Sequence, residues 1–310
     1  MKTVALIGDE CGNVLGRGEA GSSNFHNVGP SAAQKATITA VREAETQTKI
    51  VDQIPNVVVA LAGLDSLRDN VMACRFVRDA KIASRSLVHD SVAYLMAVTQ
   101  GKPGIIVNAG TGSVAAGINS EGNYIRVGDW GYIIDDEGSS YDIGRRALTA
   151  SFRASDERAP STKLASVLKH RLEVKTLEDV ASKIYTDDQA VEKVASLAQL
   201  VAKMARHDRV ARQILRDAGS VLAYMVYTVA DRLRMTHEAF LVGKIGAFRS
   251  DYLCAQFNFR LRQYCPLARI ARQRREPAMD ILALAHIAMR YQDGNLRIGD
   301  QPFLRFLKIR

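Results

Sequence analysis

Two adjacent segments in the middle of the chain constrain its fold most strongly. The first, residues 104–113 (GIIVNAGTGS), is an apolar, β-branched run that ends in a loop with glycines at alternate positions. β-Branched residues favour strands, and glycine frees the backbone for tight turns. The second, residues 128–141 (GDWGYIIDDEGSSY), places three acidic residues and a glycine before a predicted helix. Strand, glycine loop and acidic loop in this order predict an α/β fold whose loops bind a ligand.

The predicted elements change from mostly strands to mostly helices along the chain. Apolar runs bounded by turn residues predict strands over residues 4–7, 14–17, 57–62, 86–89, 105–109, 114–118, 124–127 and 239–242. Apolar spacing of three and four predicts helices over residues 31–44 (capped by Ser31), 67–79, 91–99, 140–154, 164–171, 190–206, 209–234, 251–263 and 279–291. Residues 302–310 are strand-like. This order predicts an α/β protein with two lobes, the second rich in helices.

Bulk composition excludes several classes of protein. The 310 residues are 47% hydrophobic, which is enough for two packed cores. No apolar run approaches the ~20 residues that span a membrane, and no signal-peptide profile opens the chain. We therefore expect a cytoplasmic protein. None of the four cysteines forms a C-x-x-C pair, so zinc knuckles and redox pairs are unsupported.

The formal charge of +9 is unevenly distributed. Residues 201–310 hold 20 Lys and Arg against 9 Asp and Glu. These basic residues alternate with apolar ones along predicted helices, and no aromatic-rich basic motif accompanies them. The pattern favours a solvated helix face or a field for an anionic ligand over a nucleic-acid interface.

The glycine loop is a candidate anion site. Backbone amides in such a turn can cradle a phosphate, and Thr111 and Ser113 add hydroxyl donors. A plain β-hairpin with a glycine turn explains the same residues equally well, because short glycine motifs are weak signals.

Acidic residues mark two further positions. Asp90 lies between a predicted strand and a predicted helix, where a helix cap is the simpler explanation and a ligand-binding carboxylate at a strand end is the alternative. Asp135, Asp136 and Glu137 precede a helix, where acidic residues also suit the helix dipole. Trp130, the only tryptophan, is expected in the core.

Taken together, six segments resemble one family. They are residues 23–29 (SNFHNVG), 60–65 (ALAGLD), 89–90 (HD), 103–113 (PGIIVNAGTGS), 130–139 (WGYIIDDEGS) and 143–148 (IGRRAL). They are similar to segments of the N-acetylglucosamine kinase and benzoyl-CoA reductase activator-type ATPase family, to which archaeal broad-specificity hexokinases belong. The resemblance implies the actin-like sugar-kinase fold, in which two RNase H-like lobes flank a cleft. We expect lobes at residues 1–107 and 108–310, with the helix at 279–291 packing back on the first.

The resemblance also implies roles for individual positions. Asp90 would be the general base on a sugar hydroxyl. The positions that would contact ATP are Thr3, Gly110, Thr111, Gly112, Ser113 and Gly246. Those that would bind the sugar are Asn24, Gly131 and Asp136. The implied protein is a homodimeric, ATP-dependent sugar or amino-sugar kinase that uses ATP and Mg²⁺.

The chain departs from the family pattern at its start and on the nucleotide side. Relatives open with a strand and a DGGGTKT phosphate loop, of which only the last residues match, ending at Thr3. In this fold that strand is central, and residues 302–310 are a weak candidate to replace it. Asp129, Asp135 and Asp142 replace residues typical of the family, and Gly246 lacks a paired glycine. We therefore expect better binding of sugar than of ATP, and slow turnover.

Two alternative functions stay open. One is a catalytically impaired relative that only binds sugar or nucleotide. The other is an activator ATPase of a 2-hydroxyacyl-CoA dehydratase, which uses a cysteine-ligated iron–sulfur cluster at a dimer interface. The scattered cysteines argue against the second.

Overall fold

The protein is represented by a computed structural model that describes residues 2–9, 11, 13–48, 57–61, 73, 85–99, 102–271, 295–298 and 301–305. The chain divides into two compact units. The first comprises residues 1–102, 120–123 and 272–310, and the second residues 103–119 and 124–271. No helix among the described residues is long and apolar enough to cross a membrane.

The first unit opens with an antiparallel hairpin. Strand β1 (Thr3–Gly8) pairs with β2 (Val14–Ala20), and helix α1 (Phe25–Val28) leads into α2 (Pro30–Thr46). Helix α2 packs directly on β2, since a Cβ on Gly18 would lie 1.9 Å from the Ala40 carbonyl oxygen. The prediction of Ser31 as N-cap is wrong. Gly29 holds the cap position with φ 79°, and the proline that follows suits the first helical position because it has no N–H to satisfy.

A second pair of strands carries the junction at Asp90. Strand β3 (Val57–Leu61) is parallel to β4 (Arg85–His89), and helix α3 (Asp90–Thr99) follows β4 without a loop. Within the described residues, β3 and β4 form a sheet separate from β1 and β2. The helices predicted over residues 67–79 and 279–291 lie outside the described residues, apart from residue 73.

The end of the chain forms its own hairpin. Strand β10 (Asn295–Ile298) pairs with β11 (Gln301–Arg305), and the described residues give β11 no other strand as neighbour. The strand-like character predicted from residue 302 is therefore confirmed as far as residue 305. The idea that this strand replaces a central one is wrong for the described part, because its ladder is formed with β10.

The second unit is built on a five-stranded sheet. Its strands are β5 (Gly104–Ala109), β6 (Ser113–Ile118), β7 (Tyr124–Gly128), β8 (Leu241–Gly246) and β9 (Arg269–Ile270), in the spatial order β7-β6-β5-β8-β9. The first three are antiparallel, whereas β5, β8 and β9 are parallel. Five of the six residues of β5 and all six of β6 are buried, as expected for apolar strands covered on both faces.

The described part of the second unit also contains seven helices. They are α4 (Ser140–Ser155), α5 (Leu164–Leu172), α6 (Leu177–Tyr185), α7 (Ala190–Ser196), α8 (Ala198–Met204), α9 (Arg209–Arg232) and α10 (Asp251–Tyr264). The core joins β5 and β6 to α9 and α10. Helix α6, which sequence reasoning missed, begins with a capping box between Thr176 and Asp179. The single helix predicted over residues 190–206 is two helices that meet at Leu197.

Candidate functional site

The glycine loop, residues 110–113, connects β5 to β6. Ala109 and Ser113 are paired across the hairpin, so the predicted hairpin is confirmed. The amides of Thr111 and Gly112 have no hydrogen-bond partner among the described residues. A tight turn with two uncommitted amides can accept an anion. The hairpin and anion-site interpretations are therefore compatible.

Four hydrogen bonds join the glycine loop to the acidic loop, residues 129–139, and the adjoining Ser140; one of them runs from the Asp129 amide to the Ser113 carbonyl oxygen over 3.0 Å. The Ser113 amide donates to Asp136 Oδ1 over 2.9 Å, and the Ser113 hydroxyl donates to the Glu137 carbonyl oxygen over 2.9 Å. The Ser140 amide donates to the Gly110 carbonyl oxygen over 2.8 Å. Because these bonds reach both ends of the glycine loop, the two loops form one structural element.

Asp136 lies beneath the glycine loop. The residue is 5% exposed and adopts a left-handed φ of 66°. Burial, with smaller contributions from the charges of Asp129 and Asp135, raises the pKa of its carboxyl to about 6, although the hydrogen bond from Ser113 acts to lower it. A carboxyl group whose pKa is raised by burial is typical of functional sites.

The two glycines of the loop have different steric roles. A Cβ on Gly112 would lie 2.7 and 2.8 Å from the carboxylate oxygens of Asp136, whereas a Cβ on Gly110 would meet its nearest atom, Asn108 Oδ1, at 3.6 Å. Gly112 therefore makes room for Asp136. Sequence reasoning attributed both glycines to the approach of a phosphate and missed this packing.

Gly246 lies beside the glycine loop, and Gly131 lies within the acidic loop. Gly246 ends β8 beside β5 with φ 87°, and a Cβ there would lie 2.3 Å from the Ala109 carbonyl oxygen. The structure thus brings Gly246 next to residues 110–113. Gly131 has φ 88°, and its carbonyl oxygen accepts the amides of Ile134 and Asp135 at 3.1 and 2.8 Å. A left-handed conformation is required at both positions.

The expectation that Trp130 is a core residue is wrong. Its ring is 65% exposed in the acidic loop, with the Arg126 guanidinium 5.4 Å from the ring centroid. Ile133 and Ile134 are 82% and 83% exposed in the same loop. The acidic loop therefore presents three large apolar side chains on the surface of the described structure.

Asp142, which replaces a residue typical of the family, has a structural role. This residue is buried in the first turn of α4, where its carboxylate accepts the Gly138 amide at 3.1 Å and pairs with Arg145 at 2.9 Å. Ser139 caps the same helix by accepting the Asp142 amide. An aspartate here satisfies helix-terminal donors and suits the helix dipole.

Asp90 belongs to the first unit and is the first residue of α3, directly after β4. Its Oδ1 lies 3.1 Å from Nδ1 of His89, which also lies 2.6 Å from the Ser91 hydroxyl. The Asp90 side chain is 29% exposed and that of His89 is 10% exposed. An acidic residue at this position can stabilise the start of helix α3. Its carboxylate is equally well placed at the end of a strand to bind a ligand. Sequence reasoning assigned no role to His89, although it stands next to Asp90 in the matched segment.

Thr3 and Asn24 also lie in the first unit. The Thr3 hydroxyl donates to the Gly21 carbonyl oxygen over 2.7 Å, so it is engaged at the start of β1. The Asn24 carbonyl oxygen accepts the Val28 amide at 3.1 Å, which places Asn24 at the start of α1.

The predicted site residues are divided between the two units. Those in the second unit are Gly110, Thr111, Gly112, Ser113, Gly246, Gly131 and Asp136. Those in the first unit are Asp90, Asn24 and Thr3.

The family model for the BadF/BadG/BcrA/BcrD ATPase family matches residues 1–257. The chain belongs to this family. The resemblance drawn from residues 23–148 is therefore confirmed.

Two relatives of known name have similar sequences. The chain is 29% identical over 239 residues to the N-acetylmuramic acid/N-acetylglucosamine kinase of Clostridium acetobutylicum, covering 76% of this chain and 78% of that protein. It is 28% identical over 302 residues to the N-acetyl-D-glucosamine kinase of Dictyostelium discoideum, covering 92% of this chain and 94% of that protein.

A solved structure shows the same fold. A Chromobacterium violaceum protein with a provisional assignment as an N-acetylglucosamine kinase superposes with a TM-score of 0.68 at 22% identity, covering 92% of this chain and 98% of that one. The predicted α/β class, with the actin-like sugar-kinase fold and a helix-rich second part, is thereby confirmed.

Proposed function

We propose that this protein transfers the γ-phosphoryl group of ATP to a hydroxyl of a sugar or amino sugar. Membership of an ATPase family and the named kinases that cover most of this chain support the reaction class. The observation that carries the proposal is the glycine loop, whose Thr111 and Gly112 amides are uncommitted beside a buried carboxylate. Amides for phosphate and a carboxylate for a hydroxyl are the groups that such a reaction needs.

In the proposed mechanism, residues 110–113 hold ATP phosphate oxygens through backbone amides, with the Thr111 hydroxyl as a further donor. Gly246 allows the end of β8 to approach the same loop. Fixed amide dipoles stabilise the charge that develops on the transferred phosphoryl group without reorganisation during the step. Thr3 is the residue of the first unit that we propose to contact ATP.

Asp90 is the proposed general base. It accepts the proton of the sugar hydroxyl as the hydroxyl oxygen bonds to the γ-phosphorus and the bond to ADP breaks. Nδ1 of His89 lies 3.1 Å from the Asp90 carboxylate. Asn24, Gly131 and Asp136 are the proposed sugar contacts, by side-chain or backbone hydrogen bonds.

The nucleotide enters as its Mg²⁺ complex. Among the described residues no group of three or more His, Cys, Asp or Glu side chains is arranged to hold a metal ion. Magnesium in phosphoryl transfer is held largely by the phosphates and water, with one or two carboxylates, and we propose that it is carried here by ATP. We also propose that the protein is a homodimer and that it is located in the cytoplasm.

The activator-ATPase alternative has less support. An iron–sulfur cluster is ligated by accessible cysteine thiolates, commonly four. Of the cysteines in the described residues, Cys11 is exposed, Cys254 is half-buried and Cys265 is buried. Burial raises the pKa of the Cys265 thiol to about 11, which disfavours the thiolate that a cluster needs.

The test is a coupled assay for ADP release with MgATP and a panel of hexoses, hexosamines and N-acylhexosamines. The proposal expects ADP release that depends on one class of sugar and yields the sugar phosphate. Sugar-independent ATP hydrolysis would instead favour the activator class. Tight sugar binding without ADP release would favour the impaired, binding-only relative.

A further inference from the structure

The inference concerns Asp136 and rests on the proposed function. The family resemblance predicts that Asp136 binds the sugar, whereas in the structure one of its carboxylate oxygens already accepts a hydrogen bond. Oδ1 accepts the Ser113 amide at 2.9 Å, and Oδ2 has no hydrogen bond among the described residues. The residue as a whole is 5% exposed, and Oδ2 is the carboxylate oxygen that is not fully buried. It can therefore accept a hydrogen bond from water or from a substrate hydroxyl.

The contact with the glycine loop is sterically specific. The Asp136 carboxylate occupies the space that a side chain at position 112 would need, since both of its oxygens lie within 2.8 Å of where that Cβ would be. Three further hydrogen bonds join the same segments, from the Ser113 hydroxyl to Glu137, from the Ser140 amide to Gly110 and from the Asp129 amide to Ser113. Of these four bonds, the Asp136 bond is the one made by a side chain of the acidic loop.

We infer that Asp136 is a positioning residue for the nucleotide as well as a sugar contact. Its Oδ1 holds the glycine loop so that the Thr111 and Gly112 amides face the phosphates, and its Oδ2 accepts a hydroxyl of the sugar. One carboxylate thereby joins the two binding sites. By linkage, any effect of bound sugar on the affinity for the nucleotide must be matched by an equal effect of the nucleotide on the affinity for the sugar.

The experiment measures Mg·ADP binding by calorimetry with no sugar present, in wild type, Asp136→Ala and Asp136→Asn. Alanine removes the acceptor, so Mg·ADP affinity should fall about 10- to 100-fold although Asp136 touches no phosphate. Asparagine keeps an acceptor for Ser113, so Mg·ADP affinity should stay within about threefold. Sugar affinity should fall about tenfold or more in both variants, because the charge that binds the hydroxyl is lost in each.

Asp135→Ala is the matched control. Its carboxylate accepts the Trp130 amide at 3.3 Å, so this variant should bind Mg·ADP as wild type does. Hydrogen exchange of residues 110–113 in the ligand-free variants checks the loop directly: exchange should rise in Asp136→Ala and not in Asp136→Asn. Unfolding curves separate a loosened loop from a misfolded chain.

Two outcomes have separate meanings. If wild type binds Mg·ADP and Asp136→Ala binds it equally well, the positioning role is overturned and the kinase proposal stands. If wild type binds neither Mg·ADP nor any sugar, the proposed function is wrong, and the inference fails with it.

Discussion

Candidate functional groups are held by different kinds of contact in the two units. The two loops of the second unit differ in this way from the junction at Asp90 in the first unit. In the second unit, residues 110–113 continue two buried strands and form four hydrogen bonds with one neighbouring segment, residues 129–140. At the junction, Asp90 is positioned by the end of β4, the start of α3 and the adjacent His89. Binding geometry thus depends on contacts between distant residues in one case and on neighbours in sequence in the other. Substitutions should therefore affect folding and activity differently in the two regions.

The largest expected effect separates catalysis from capping at the junction. Asp90→Asn should lower kcat by about 10²- to 10⁴-fold, because an amide cannot take the hydroxyl proton, while the circular dichroism spectrum stays unchanged. Asp251→Asn is the matched control, since Asp251 is likewise the acidic first residue of a helix. Equal, small losses in both variants would show that Asp90 serves only the helix.

The next prediction tests the packing between the two loops. Gly112→Ala should reduce the free energy of unfolding by about 1–3 kcal/mol, because a Cβ would meet the Asp136 carboxylate at 2.7 Å. Gly110→Ala should change it by less than about 0.5 kcal/mol, since the nearest atom is 3.6 Å away. Chemical denaturation measures both variants, and equal losses would contradict the steric role assigned to Gly112.

A third prediction uses pH to test burial of Asp136. The pKa of its carboxyl is raised from 3.8 to about 6 in the folded protein, so between these values the folded state binds a proton that the unfolded chain has released. The contribution of this group to stability therefore falls as pH rises through that window and is lowest above it. Asp136→Asn, which cannot ionise, should gain stability relative to wild type as pH rises from about 4 to 6.

The gain in Asp136→Asn should reach at most about 3 kcal/mol above pH 7. Thermal and chemical denaturation of both proteins between pH 4 and 8 give the difference. A difference that does not change with pH would mean that the carboxyl titrates normally and is accessible to water. The same variant should lose sugar affinity, so stability and binding should move in opposite directions.

The smallest predicted effect lies away from both regions. Thr176→Ala removes one side of the capping box at the start of α6 and should destabilise the protein by about 1 kcal/mol. The kcat should stay as in wild type because the change is confined to that helix terminus. Loss of activity without loss of stability would show that α6 takes part in the reaction.

Local patterns predicted much of the fold. The runs that became β5, β6 and β7 are apolar and β-branched, and the long helices α9 and α10 have clear three-and-four spacing, so both kinds of element were found within a few residues. Helix α6 was missed because it is short and has one fully buried residue, Val180, although Thr176 and Asp179 were a readable start signal. The break at Leu197 could not be seen, because the apolar spacing continues through it.

The candidate site was predicted in its residue types and less well in its contacts. The sequence brought residues 110–113 and Asp136 together only through a family resemblance, since their link is a hydrogen bond between residues 23 positions apart. No local sequence pattern shows that position 112 must be glycine to leave space for the Asp136 carboxylate. Nor does any local pattern show that Trp130 lies on the surface. Both facts follow from tertiary packing, which composition and periodicity do not encode.

The exposure of Trp130 makes the acidic loop a natural optical reporter. The chain has one tryptophan, so its indole fluorescence arises from a single place, with the Arg126 guanidinium over the ring and Gly131 next in sequence. A water-exposed indole emits at long wavelength and shifts to the blue when a ligand or another surface covers it. Titrating sugars into the unmodified protein would therefore register occupancy of this loop without a label, independently of any chemistry that follows.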